Sequence, residues 1–192
     1  MGHSAQKALI TEQQYLDAEQ QSSIRHEFVD GEIVAMAGGS KIHNELCVNL
    51  LVLLKQHLKG SGCKPYISDV QFKTHNNYYY YPDLMVDCQG KNDEAKNIIY
   101  EPTIIVEVLS NRTRKYDKTA KKLAYMNTPS VQEYVLIEQE FCEVQVFRRN
   151  QDWQPSYYYF DDSIYFDSID ATFSVADIYE DVAIADLLEK AD

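Results

Sequence analysis

The run Ile104-Ile105-Val106-Glu107-Val108-Leu109 sets the first condition on any fold of this chain. An apolar stretch with no polar alternation makes a strand buried on both faces, so the sheet that holds it must be covered above and below. Glu107 stands inside that run. An ionised carboxylate carried into an apolar layer costs several kcal/mol, of order 3 to 5, unless a partner, a proton or a cation offsets it. The remainder of the chain has to supply that compensation.

The surrounding elements follow from periodicity and punctuation. Residues 11–21 read as a first helix with Thr11 as N-cap, and 25–39 as two strands about a tight Asp30-Gly31 turn. From Ser40 to about Lys59 runs the longest helical pattern, with Ile42, Leu46, Leu50, Leu53, Leu54 and Leu58 on one face and Gly60 and Gly62 as its stop. Strands are expected at 66–74 and 79–86 around a His75-Asn76-Asn77 turn. The charged segment 89–97 reads as a mobile loop. Residues 103–109 form the opening strand, 112–126 a helix closed by Asn127-Thr128-Pro129, and 132–138 and 142–149 two further strands. Beyond them, 153–166 is strand-like and 172–188 polar or helical. The tyrosine clusters 78–81 and 157–159 read as half-buried strand surface. This order describes an α/β protein whose mixed β-sheet is flanked by helices, with an N-terminal helix and β-hairpin.

At 192 residues the chain is expected to form a single domain spanning 1–192. No segment reaches the roughly 18 apolar residues of a membrane span, and the first residues lack a secretory pattern, so a cytoplasmic protein with no membrane partner is expected. Cys47, Cys63, Cys88 and Cys142 form no C-x-x-C pair and are expected to be reduced thiols. The net charge of −12 argues against broad attraction to nucleic acid, while leaving room for a local basic site.

A second acid stands upstream in YYYYPDLMVDC, where Pro82 and Asp83 head the apolar run Leu84-Met85-Val86. If that strand neighbours the one carrying Glu107, the two carboxylates converge. Two carboxylates with a backbone carbonyl suit a hard cation such as Mg²⁺, which takes oxygen ligands and completes its shell with water. Asp83 alone is weak evidence, because an acid after proline is often a turn residue.

Taken together, PDLMVD, IIVEVLS and TRKYDKTAKKLAYMNTPSVQEYVLIE, with RHEFVDGEIVAMAGGSKIHNEL upstream, resemble the Uma-type family, a branch of the PD-(D/E)XK nuclease superfamily. The resemblance covers about residues 25 to 140. It implies a restriction endonuclease-like core, with Asp83 and Glu107 holding Mg²⁺ or Mn²⁺ for hydrolysis of DNA by a homodimer. The superfamily's lysine two positions after the second acid is absent, since Leu109 stands there. Lys121 matches the lysine that this family carries on the following helix, with Asp117 one turn before it, and His43 matches the histidine that opens the long helix. The basic run Arg112, Arg114, Lys115, Lys118 and Lys122 would hold a phosphate backbone beside such a site. On its own it reads equally as a solvated helix face, as Glu45 does. The alternative function is a non-catalytic nuclease-fold module for nucleic-acid or protein interaction. A third reading makes Glu107 a buried ion-pair partner of Lys121 or Arg112. Whether Lys121 points into the acidic cluster or into solvent separates the first two.

Overall fold

The computed structural model describes residues 9–36, 38–90, 92–93 and 97–184. Thr11 starts α1 (Glu12–Glu19) through a capping box, accepting from the Gln14 N–H while the Gln14 side chain accepts from its own. β1 (His26–Val29) and β2 (Glu32–Ala35) form the expected hairpin, with Asp30 and Gly31 both at positive φ as a two-residue turn requires. Ser40 caps α2 (Lys41–His57).

The strands expected at 66–74 and 79–86 are each broken in two, giving β3 (Lys64–Ile67), β4 (Gln71–Lys73), β5 (Tyr79–Tyr80) and β6 (Leu84–Asp87). The first break falls at Ser68 and Asp69, both left-handed, and the second at Pro82, which has no N–H for a ladder. The two breaks lie together, because the Ser68 N–H donates to the Asp83 carbonyl. Each predicted strand therefore serves two sheets. The segment expected as a mobile loop contributes β7 (Asn92–Asp93), which pairs with β8 (Ile98–Ile99); residues 91 and 94–96 lie outside the described residues. Then follow β9 (Ile104–Leu109), α3 (Arg114–Tyr116), a π-helical turn (Asp117–Lys121), α4 (Lys122–Met126), β10 (Glu133–Glu138) and β11 (Val144–Arg148). The chain continues through β12 (Pro155–Tyr158), β13 (Ser163–Phe166), β14 (Ala171–Ser174) and α5 (Val175–Ile178). Residues 185–188 of the expected C-terminal segment are outside the described ones.

The central sheet has the order β12-β11-β10-β9-β6-β3, in which β9 and β10 are parallel and the other neighbours antiparallel. A second sheet runs β2-β1-β5-β4-β8-β7, and β13 and β14 form a separate hairpin. β9 is covered on both faces, as its composition demands. Ile104, Val106 and Val108 pack with Leu46, Leu50 and Leu54 of α2 and with Ile164, Phe173 and Ile178. Ile105 and Leu109 pack on the other side with Tyr125, Tyr134, Phe72 and Tyr80. Each fully buried side chain of this kind contributes about 1.5 to 3 kcal/mol. Tyr79, Tyr80 and Tyr81 are buried rather than half-buried, because the second sheet lies against other layers instead of solvent. Among the described residues no helix is long and apolar enough to cross a membrane.

One cysteine expectation is corrected. Cys63 and Cys88 form a disulfide with Cα atoms 4.1 Å apart, while Cys47 and Cys142 are free and buried. The register of β3 and β6, with Lys64 opposite Asp87, brings the flanking cysteines face to face.

Candidate active site at the end of the central sheet

β6 and β9 are antiparallel neighbours with Leu84 opposite Val106, so Asp83, the residue just ahead of β6, lies at the end of that ladder beside the Glu107–Val108 segment of β9. Asp83 is positioned by its Oδ2, which accepts from the Val108 N–H at 2.7 Å and lies 3.1 Å from His43 Nε2. His43 is delivered by the first turn of α2, where its backbone N–H donates to the Ser40 hydroxyl. Gly39 gives the imidazole its space, since a Cβ there would stand 2.7 Å from Nδ1. The hydrogen bond that His43 donates to the Asp83 carboxylate raises the His43 pKa against the opposing effect of burial. Cys47, one turn along α2, places Sγ 3.8 Å from His43 Nδ1.

Glu107 is 3% exposed. Its Oε1 accepts from Lys121 Nζ at 3.0 Å and from the Tyr125 hydroxyl at 2.8 Å. Lys121 Nζ also lies 2.9 Å from Glu27 Oε1 and 3.6 Å from Asp117 Oδ1. The π-helical turn accounts for this convergence. Asp117, Lys121 and Tyr125 are four residues apart, and a plain α-helix would swing that row by about 80° over its length. A π turn winds more slowly and takes much of the drift back, so all three side chains face Glu107's side of the sheet.

The charges in this cluster do not balance. Glu27, Asp83, Glu107 and Asp117 face one ammonium and one imidazole, which leaves an excess of negative charge even with His43 protonated. Burial pushes the Glu107 pKa well above the ordinary carboxylate range, Lys121 opposes the rise, and Asp83, Asp117 and Glu27 add to it. Burial likewise raises Asp117. For Lys121 burial acts downward, but Glu107, Glu27 and Asp117 outweigh it and hold the ammonium well above its usual range.

The structure therefore gathers Asp83, Glu107, Lys121, Asp117 and His43, and Lys121 points into the cluster. The basic run disperses. Arg114 pairs with the buried Glu138 and, at 3.5 Å, with Glu140, and Lys118 stands 3.2 Å from Glu138. Lys122 Nζ lies 3.8 Å from the centre of the Phe147 ring. Arg112 and Lys115 are exposed, as is Glu45. Of the expected ion-pair partners of Glu107, Lys121 is the one in contact.

Two site residues escaped sequence reasoning. Tyr125 was available as the next four-residue step after Asp117 and Lys121. Glu27 had only the faint signal of an acid sharing a strand face with Val29, and what brings it to Lys121 is the docking of the hairpin sheet.

A mixed sheet with helices on both sides, carrying one acid on β9 and another just ahead of the neighbouring β6, defines a restriction endonuclease-like core. The chain belongs to the Uma2 family, described as "Putative restriction endonuclease", whose model matches residues 12–174. It is similar to the Synechocystis sp. "Uncharacterized protein slr1290", with 33% identity over 177 residues, 91% of this chain and 93% of the relative. It is also similar to "Uncharacterized protein sll1609" of the same organism, with 35% identity over 137 residues, 70% of this chain and 77% of the relative. Among solved structures, the crystal structure of a "putative nuclease belonging to DUF820" from Anabaena variabilis shares the fold with a TM-score of 0.75 and 17% identity, covering 88% of this chain and 97% of that one.

Proposed function

We propose that the protein is a metal-dependent endonuclease that hydrolyses phosphodiester bonds in DNA, with Asp83 and Glu107 holding Mg²⁺ or Mn²⁺ and Lys121 assisting. The observation that carries this reading is Lys121 Nζ at 3.0 Å from Glu107, on the strand beside Asp83. The donor set fits a hard cation. Both side chains offer carboxylate oxygens, the cluster holds more negative than positive charge, and the contacts of Lys121 and Tyr125 both fall on Oε1 of Glu107 and do not use Oε2. A bound cation would lower the pKa of a water and neutralise charge on the phosphate. The protein's own groups do the rest. The Val108 N–H and His43 fix the Asp83 carboxylate, and Tyr125 fixes Glu107. Lys121 supplies a positive charge toward the oxygens on which negative charge develops. Exposed Arg112 and Lys115 are the members of the basic run best placed to meet a phosphate backbone, and a homodimer would present two sites to one duplex.

The test is nicking of supercoiled plasmid by the purified chain with Mg²⁺, Mn²⁺ or a chelator, beside Asp83→Asn, Glu107→Gln and Lys121→Met. Metal-dependent cleavage lost in all three variants is expected. The interaction module keeps one observation in its favour, because Leu109 at the superfamily's lysine position is fully buried in the core. DNA retention without cleavage under any cation would establish that reading instead.

A further inference from the structure

Asp83 has neighbours on α2 that offer more than the nuclease reading uses, since that reading takes His43 only as a hydrogen-bond partner and leaves Cys47 without a role. His43, Cys47 and Asp83 each offer a ligand atom, and these atoms lie within 4.8 Å of one another. The residues come from two elements with independent reasons to be where they are. His43 and Cys47 are four residues apart, so they share one face of α2 near its capped start. Asp83 sits at the head of β6, turned toward that helix by its 3.1 Å contact with His43. Gly39 keeps the wall beside the imidazole free of a side chain. Cys47 is buried while His43 and Asp83 are half-buried, so the thiol forms the floor and the other two residues border solvent.

We propose that His43, Cys47 and Asp83 form a binding site for a divalent cation of the zinc class, adjacent to the hard-cation position and sharing Asp83 with it. Imidazole and thiolate suit Zn²⁺ or Co²⁺ and are poor ligands for Mg²⁺, which takes oxygen. Three protein ligands leave a fourth tetrahedral position for water, the arrangement of an open rather than a closed zinc site. Binding replaces the sulfur–hydrogen bond of Cys47 by a sulfur–metal bond and releases that proton to solvent. The excess negative charge around Asp83 and Glu107 favours the exchange. The site stands whether or not the neighbouring position cleaves DNA.

Cobalt(II) alone is the probe, added to the metal-free full chain and followed by absorption. The expected result is saturable binding with a near-ultraviolet thiolate-to-cobalt charge-transfer band that Zn²⁺ abolishes. Cys47→Ser should remove the band, and His43→Gln should weaken binding by at least about tenfold, the smallest loss usual when even a supporting contact of a metal ligand is removed. Glu107→Gln and the double variant Cys63→Ser/Cys88→Ser should keep the band, the latter excluding the disulfide cysteines as its source. Circular dichroism checks that each variant folds. If Cys47→Ser does not, X-ray absorption of the wild-type zinc complex decides, with a sulfur neighbour at roughly 2.3 Å expected. Absence of the band, its survival in folded Cys47→Ser, or a zinc shell of oxygen and nitrogen alone overturns the proposal. Mg²⁺-dependent cleavage without the band leaves the nuclease reading intact and removes this site, and the band without cleavage does the reverse.

Discussion

Lys121 Nζ stands 3.0 Å from Glu107 Oε1, with the lysine 6% and the glutamate 3% exposed. This relationship explains how an acid is tolerated inside β9. The same ammonium also serves Glu27 and Asp117, so it neutralises a cluster rather than one partner.

Lys121→Met should therefore destabilise the fold by about 3 to 5 kcal/mol, because it strands buried carboxylates without a counter-charge. Adding Glu107→Gln should restore part of the loss, with a coupling between the two sites of about 0.5 to 3 kcal/mol. Urea unfolding of the four proteins of the cycle at pH 7 measures both. A loss below about 1 kcal/mol for Lys121→Met would mean that the carboxylates escape their burden by taking up protons.

Glu107 itself carries a pH signature in the metal-free protein. Its folded pKa is raised by burial and by Asp83, Asp117 and Glu27, against the pull of Lys121. Between about pH 4.3 and that raised value, the folded state thus holds a proton that the unfolded state has released. The associated stability is fully present below that pH and is lost as pH rises through the raised folded value. Glu107→Gln cannot titrate and should lack this decline, becoming the more stable protein at pH 7 in chelator. Mg²⁺ at about 100 times its Kd should stabilise the wild type by about 2.7 kcal/mol and the variant far less. Thermal melts from pH 4 to 8 with and without Mg²⁺ provide the comparison. A strongly destabilised variant and no response to metal in either protein would make Glu107 a structural partner only.

Much of this site was legible because it rests on local rules. The unbroken apolar run announced a strand covered twice, Ser40 announced the start of α2, and the order Asp83, Glu107, Lys121 followed from motifs carried by consecutive elements. What stayed hidden depends on tertiary register. Ser68 and Asp69 gave no glycine to mark the break between β3 and β4, although their left-handed backbone divides the strand between two sheets. Cys63 and Cys88 look unrelated until β3 and β6 are aligned. The basic run seemed free because Glu138, its counter-charge, lies on a strand distant in sequence.

Glu27 is predicted to position Lys121 rather than to bind metal. Glu27→Gln removes one charge from the ammonium's surroundings and keeps the hydrogen-bonding shape, so cleavage should slow while the metal concentration for half-maximal activity stays within about twofold. That split follows from losing an interaction felt in the rate alone. A parallel rise in metal requirement would make Glu27 a ligand.

For DNA affinity, the exposed and the internally paired bases should behave differently. Arg112→Ala and Lys115→Ala should each reduce the log–log salt slope of binding by about 0.9 if each neutralises one phosphate. Lys118→Ala should act first on stability, because it removes a partner of the buried Glu138. Filter binding at several salt concentrations gives the slopes. Unchanged slopes in the Arg112 and Lys115 variants would take this helix out of the interface.

The disulfide offers a test of the edge of the sheet that leads to Asp83. Cys63 and Cys88 are 25 residues apart, and closing a loop of that size in the unfolded chain is worth roughly 3 kcal/mol in the chain-entropy account. Cys63→Ser/Cys88→Ser, or reduction of the wild type, should lower the unfolding free energy by about that amount. The site should survive the change, because β3 and β6 are also held by their ladder from Lys64 opposite Asp87 to Ile67 opposite Leu84, and Asp83 is separately anchored by Val108. Denaturant unfolding of the oxidised, reduced and double-serine proteins, with mass spectrometry of the intact chain to count the bond, reads the effect. Equal stability of the three forms would show that β3 needs no covalent tie to β6. Loss of metal binding on reduction would instead make the bond part of what places Asp83.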